Sequence, residues 1–348
     1  MEILNSKKRI LIIQTAFLGD AILTLPMIQK LKEYYPQYYI DVLCIPSTSE
    51  IYKNSPFVDD VIIYDKKKNQ KSLIDLFYLI KTIRKKEYSK VYSPHRSFRS
   101  AIISKFSNAS ETFGFDNASF NFLYKYKMHY EKNKHEVERN LKLIGYDTSK
   151  NNWRILPSIK YSEESEHKIN ELLKFITKKI VAIAPGSVWK TKIYPKEYYE
   201  VIVKYLTGLN YFVCLIGSSD DKLICEYLNE KFPDDTYSLA GKLTVIDTIT
   251  LLKKCTLLIC NDSAPTHMAM AANIPTLTIY CSTIPDFGFY PYNSKSDFIS
   301  YNDLKCKPCG IHGYNQCPLK TFDCGYLLTP QMVINRINQL INIEKKNS

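Results

Sequence analysis

No apolar run in the sequence reaches the length of a membrane span; runs such as Ile10–Ile13 have the length of a buried strand. The N-terminal residues Met1–Lys8 are polar and lack the apolar core of a signal peptide. Both absences predict a cytosolic chain. No zinc-finger, helix-turn-helix or RNA-binding aromatic motif appears, so no nucleic-acid partner is expected. The Gly-rich dinucleotide fingerprint is also missing. The turn after the first strand carries one glycine, Gly19, which disfavours a Rossmann dehydrogenase. Length and apolar content are not lacking. The chain has 348 residues, 45% of them hydrophobic, enough for two α/β domains with proper interiors.

Net charge is +12. Nucleic acid, an anionic membrane surface and an anionic small substrate are the partners that such a balance suits. The Lys-rich stretches Lys66–Lys71 and Lys81–Lys86 also read as ordinary solvated faces. Of ten cysteines, six (Cys44, Cys214, Cys225, Cys255, Cys260, Cys281) sit in apolar segments and read as reduced, buried residues of a cytosolic protein.

Strand-like and helix-like periods alternate. The first half reads as a strand over Arg9–Thr15, a helix over Ala21–Tyr35, strands over Tyr39–Ile45 and Val61–Tyr64, a helix over Ser72–Lys86 and a strand over Lys90–Tyr92. The same grammar restarts at Lys179–Ala184 and runs to Thr276–Tyr280, with a final helix near the C-terminus. Between the halves, Asn151–Lys178 is polar and charged. We place the junction there, with domains over 1–160 and 161–348. The expected fold class is α/β, with two doubly wound, parallel Rossmann-like domains facing across a cleft.

Four short motifs follow strands. Gly19-Asp20 ends the first strand's turn, and Asp20 reads either as a helix N-cap or as a functional carboxylate at the sheet edge. Arg96 and Arg99 follow Ser93-Pro94-His95. They read as an i, i+3 pair on a new helix that clamps an anion, or as a surface pair. Pro185-Gly186-Ser187 with Lys190 and Lys192 combines turn amides and lysines into a phosphate-type site, or an ordinary loop. Asn261-Asp262-Ser263-Ala264-Pro265-Thr266-His267 opens a small-residue helix whose free amides favour an anion, with Ser263 and Thr266 as candidate caps. His267 reads equally as a satisfied structural histidine. Near the C-terminus, Cys306, Cys309, Cys317 and Cys324 suit a structural zinc by composition, although their spacing is not that of a regular zinc ribbon. A disulfide pair is the alternative in a secreted chain.

Taken in order, these segments resemble glycosyltransferase family 9, the ADP-heptose:lipopolysaccharide heptosyltransferases. The resemblance rests on Gly19-Asp20 with Pro26, His95–Ser100, Pro185-Gly186-Ser187, Lys192-Ile193-Tyr194-Pro195, Leu239–Thr244, Asn261–His267 and the Cys-rich tail. It implies a GT-B fold and inverting transfer, in which Asp20 is the catalytic base. Gly19, Ser187, Lys192, Gly217, Leu243, Thr244, Asp262, Ser263, Ala264, Thr266 and His267 are the donor-binding positions that it marks. Two departures stand out. Asp262-Ser263-Ala264 replaces the family's frequent Asp-Thr-Gly. Where some members place a ribose-binding Glu, this chain has Gly217-Ser218-Ser219-Asp220-Asp221, which leaves Asp220 or Asp221 for that contact.

The expected chemistry is one in-line displacement. Asp20 takes the acceptor hydroxyl proton while Lys192 and the helix start at Ser263 neutralise the departing diphosphate, so no catalytic metal is required. Arg96 and Arg99 recruit an anionic, lipid-linked glycan acceptor. The basic surface holds the enzyme at the cytoplasmic face of the inner membrane. Domain closure excludes water. Transfer from another nucleotide sugar, for capsule or glycoprotein, and non-catalytic binding of a sugar nucleotide remain the alternatives.

Overall fold

The computed structural model describes residues 8–66, 72–150 and 152–347. The ends of the polar N-terminus and most of the Lys66–Lys71 stretch lie outside the described residues. The chain splits into two compact units, Met1–Lys160 and Tyr161–Ser348.

The first unit runs β1 (Arg9–Gln14), α1 (Leu18–Tyr34), β2 (Tyr39–Cys44), α2 (Ser49–Lys53), β3 (Asp60–Ile63), α3 (Leu73–Arg84), β4 (Tyr88–Ser93), α4 (Phe98–Phe106), β5 (Glu111–Phe115), β6 (Tyr126–Met128) and α5 (Glu136–Leu143). Its six strands lie in the order β3-β2-β1-β4-β5-β6, all parallel. Ile10, Leu11, Ile12 and Ile13 are wholly buried, as expected of a central parallel strand covered on both faces. The core on one face gathers Leu11, Ile13 and Leu43 with Leu76, Leu79 and Ile83 of α3 and Ile103 of α4.

The second unit runs α6 (Glu163–Leu173), β7 (Lys179–Ala184), α7 (Lys196–Gly208), β8 (Tyr211–Leu215), α8 (Lys222–Lys231), β9 (Thr236–Ser238), α9 (Val245–Leu252), β10 (Leu257–Asn261), α10 (Ala264–Ala272), β11 (Thr276–Tyr280), β12 (Asp297–Ser300), α11 (Asp323–Tyr326) and α12 (Pro330–Asn347). Its strand order, β12-β11-β10-β7-β8-β9, is that of the first sheet when counted from β7. In both sheets the order reverses beside the first strand of the unit, between β1 and β4 and between β7 and β10. Ligands of open α/β sheets bind outside the strand C-termini at that reversal.

Two local readings need correction, and one region holds more than was expected of it. The polar stretch 151–178 that contains the junction also contains α6. Ser162 caps that helix, and Ser165, Ile169 and Leu173 are its buried side. A charged sequence hid the helix, since few apolar positions mark its inner face. Helix α1 begins at Leu18 with Phe17 as N-cap, which puts Asp20 inside the first turn rather than at the cap. Helix α4 begins at Phe98 with Ser97 as N-cap, so Arg96 precedes the helix and is not paired with Arg99 on one helical face. Among the described residues no helix is long and apolar enough to cross a membrane.

Candidate functional site

At the strand reversal of the first unit, the ends of β1 and β4 are stitched side by side. Thr15 Oγ1 and His95 Nδ1 are hydrogen-bonded at 2.8 Å, and Lys66 Nζ donates to the Thr15 carbonyl at 2.7 Å. Lys66 is therefore committed to the sheet edge rather than merely solvated. Burial, with Lys66 and Arg96 nearby, lowers the His95 pKa to about 4 and keeps the ring neutral at pH 7. The turn into α1 is held from within: Gln14 Nε2 donates to Thr24 Oγ1 at 3.0 Å, and Thr24 Oγ1 donates to the Asp20 carbonyl at 2.7 Å.

The Asp20 side chain retains partial exposure on this edge. Desolvation of its carboxyl, then the charge of Glu136, raise its pKa to about 7, against the amides of Asp20 and Phe17 and the charge of Arg96. Glu136 comes from α5, which packs along α1. Asn140 Nδ2 donates to the Leu23 carbonyl at 3.2 Å. Glu136 lies one turn before Asn140, and Asp20 one turn before Leu23, so the two helix starts lie together. Arg139 Nε holds Glu136 at 2.9 Å, and the Tyr130 hydroxyl donates to the same carboxylate at 3.4 Å. The Arg96 guanidinium stacks on the Tyr130 ring at 4.0 Å, which draws Arg96 toward this group. Arg99 lies over Phe98 at 5.6 Å instead. Sequence reading passed over Glu136, Tyr130 and Arg139. His135–Asn140 is a polar run that looks solvated, yet His135, Glu136, Glu138, Arg139 and Asn140 are all buried.

The second unit's reversal is built around Asn261, which is fully buried. Its Nδ2 donates to the carbonyls of Pro185 (2.7 Å) and Gly186 (3.2 Å). Its Oδ1 accepts from the Tyr194 amide (3.1 Å) and the Tyr199 hydroxyl (3.0 Å). One side chain thus ties the turn after β7 to the approach to α7. Next to it, Lys192 Nζ meets Asp262 Oδ2 at 2.6 Å, and Thr283 Oγ1 donates to the same oxygen at 2.7 Å. His267 is buried beside them. Among the described residues its Nδ1 has no hydrogen-bond partner, and burial lowers its pKa to about 4. The structure therefore brings Lys192, Asp262, Ser263, Ala264 and His267 together at the start of α10, with Ser187 at the neighbouring strand end.

The expected caps of α10 are corrected. Ser263 occupies the N-cap, but its hydroxyl donates to the Asn261 carbonyl at 3.2 Å. Thr266 is buried against Thr278 (3.0 Å) and Cys260 (3.3 Å). Thr244 caps α9 with Asp247, and Leu243 precedes it half-buried. Of the two candidate carboxylates after β8, Asp221 is the one folded against the turns. A Cβ built on Gly186 would stand 1.8 Å from its Oδ1, and one on Gly217 would stand 2.7 Å from its Cβ. Asp221 Oδ2 also takes the Ser218 amide at 2.7 Å.

The Cys-rich segment also braces the loop that carries Lys192. Tyr314 exchanges bonds with Thr191: its carbonyl accepts from the Thr191 amide at 3.0 Å, and its amide donates to Thr191 Oγ1 at 2.8 Å. Gly313, at φ +79°, lets the segment approach closely, since a Cβ there would lie 2.9 Å from Thr191 Oγ1 and Ser282 Oγ. The segment thus buttresses the Lys192 loop. Cys306, Cys309, Cys317 and Cys324 remain free thiols. Among the described residues no three His, Cys, Asp or Glu side chains form a metal-ligating group. Cys324 packs against Leu328 and Val333 and Cys306 is exposed, yet the four thiols lie close enough that, after burial, their mutual charge raises the pKa of Cys309 and Cys324; a structural zinc there is kept as a proposal.

The family model for glycosyltransferase family 9 (heptosyltransferase) matches residues 76–318. The chain belongs to that family. It is a glycosyltransferase of the GT-B fold class, with two Rossmann-like domains. It is 25% identical to lipopolysaccharide heptosyltransferase 2 of Escherichia coli K12 over 96% of this chain and 98% of that protein. Among solved structures, a family 9 glycosyltransferase from Veillonella parvula superposes with a TM-score of 0.81 at 21% identity, covering 96% of this chain and 97% of that one. The E. coli ADP-heptose lipopolysaccharide heptosyltransferase II superposes at 0.78 with 22% identity, covering 97% and 99%.

Proposed function

We propose that this family 9 enzyme transfers heptose from ADP-heptose, with inversion, to a lipopolysaccharide core or related cell-surface glycan. The carrying observation is Asp20, a partly accessible carboxyl at a strand reversal with a pKa near 7. A base with that pKa is ionised often enough to accept a proton and basic enough to hold it. Asp20 takes the proton of the acceptor hydroxyl. The acceptor oxygen bonds to the anomeric carbon as the bond from that carbon to the diphosphate oxygen breaks. ADP leaves with the electron pair. Lys192 and the amides at the start of α10 take up the charge on the leaving diphosphate. Asp262 and His267, beside that helix start, hold the donor sugar in this account. Arg96, held over Tyr130, and Arg99 supply positive charge for an anionic, lipid-linked acceptor. Heptose as the sugar rests on the relatives, whose names specify heptosyl transfer and, in one solved structure, ADP-heptose.

A thermal-shift panel of ADP-heptose, GDP- and UDP-sugars tests the donor. The account expects ADP-heptose to raise the melting temperature most, since a hundredfold excess over Kd adds about 3 kcal/mol of stability by linkage. Stabilisation by a UDP-sugar alone would transfer the proposal to a different donor and acceptor class.

A further inference from the structure

Helix α3 carries a run of four strongly exposed large apolar side chains. Helix α3 turns Leu76, Leu79 and Ile83 into the core, while Leu73 is 80% exposed, Ile74 66%, Phe77 64% and Tyr78 61%. These four residues follow the helical repeat, and one turn on the same face continues as exposed Lys81, then Arg84 and Lys85. The acid of α3, Asp75, is turned back onto Ser72 in a capping box. Helix α4, which shares the α3 core, carries exposed Phe98, Lys105 and Phe106. An apolar, aromatic face that passes into cations without an opposing acid has the composition of a helix lying in a lipid interface. A second copy of this chain fits the face poorly, because each copy carries +12.

We propose that α3 seats Leu73, Ile74, Phe77 and Tyr78 in the headgroup boundary of an anionic phospholipid bilayer, with Lys81, Arg84 and Lys85 against the lipid phosphates. This deepens the reading of a lipid-linked acceptor and rests on it only for its purpose. Vesicle binding is read without donor, acceptor or turnover, so each can fail alone.

The test is flotation of the full chain with vesicles of phosphatidylcholine alone and of phosphatidylcholine mixed with phosphatidylglycerol. The expected result is binding to the mixed vesicles, weakened by added salt. The double variants Phe77→Ser/Tyr78→Ser and Lys81→Glu/Lys85→Glu should each lower partition about tenfold or more while keeping the wild-type melting temperature. As a variant that leaves the face apolar, Phe77→Trp should bind like wild type and shift its emission to the blue on the mixed vesicles. Three results would each overturn the proposal: no wild-type binding to the mixed vesicles, binding unchanged in both double variants, or a wild-type dimer that Phe77→Ser/Tyr78→Ser disperses.

Discussion

The two sheets share one strand order and place their special residues at the same reversal point, yet the chemistry collected there is opposite. The first unit gathers carboxylates: Asp20 near Glu136, with Glu136 held by Arg139. The second gathers a cation, helix amides and an amide clamp: Lys192 against Asp262, the start of α10, and Asn261. The fold supplies the position, and a few side chains decide whether that position handles a proton or a phosphate.

The difference can be broken at its strongest point first. Lys192→Ala removes the cation and strands the Asp262 carboxylate. Donor affinity by calorimetry should fall about a hundredfold, with the pH dependence of transfer unchanged. An unchanged donor constant would remove Lys192 from the donor side. Next, Asn261→Ala leaves four buried groups without their partner. It should cost about 3 kcal/mol in denaturant unfolding, and a loss below the experimental error would show that the clamp is dispensable. Glu136→Gln is a smaller change that acts on the first unit alone. It removes the negative charge that raises Asp20 and frees the charge of Arg139, so the acid limb of the rate profile should move about one unit to lower pH. A limb that stays in place would mean that desolvation alone sets it.

The smallest expected effect is on stability. Folded Asp20 has a pKa near 7 against 3.8 unfolded, so the native state binds the extra proton between those values. Stability from this group is present at low pH and is lost as pH rises through about 7. Asp20→Asn should therefore raise the melting temperature by roughly 5 °C at pH 8 and much less at pH 5. Equal shifts at the two pH values would argue against a raised pKa.

Much of this was legible in the sequence. The strands announce themselves as apolar runs, because both faces of each central strand are covered. The Gly19-Asp20 and Asn261–His267 segments stand out because strand-to-helix turns favour small and polar residues, although neither Asp20 nor the Ser263 and Thr266 hydroxyls serve as caps. Helix α6 and the Glu136 group were illegible for the opposite reason. Helix α6 buries only Ile169 and Leu173 beside Ser165 in a charged stretch, and the Glu136 group is polar, so only tertiary partners such as Tyr130, Asp247 and Leu23 show that water does not cover them. Composition marked the Cys-rich segment by its thiols, and only the structure shows that its backbone also braces Thr191.

The most direct measurement is made on Asp20→Asn, with donor affinity and transfer rate determined on the same preparation. The account predicts a donor Kd within about twofold of wild type and a transfer rate lower by about three orders of magnitude, in the range of a lost general base. Transfer at a rate comparable to wild type, with the donor still bound, would contradict it.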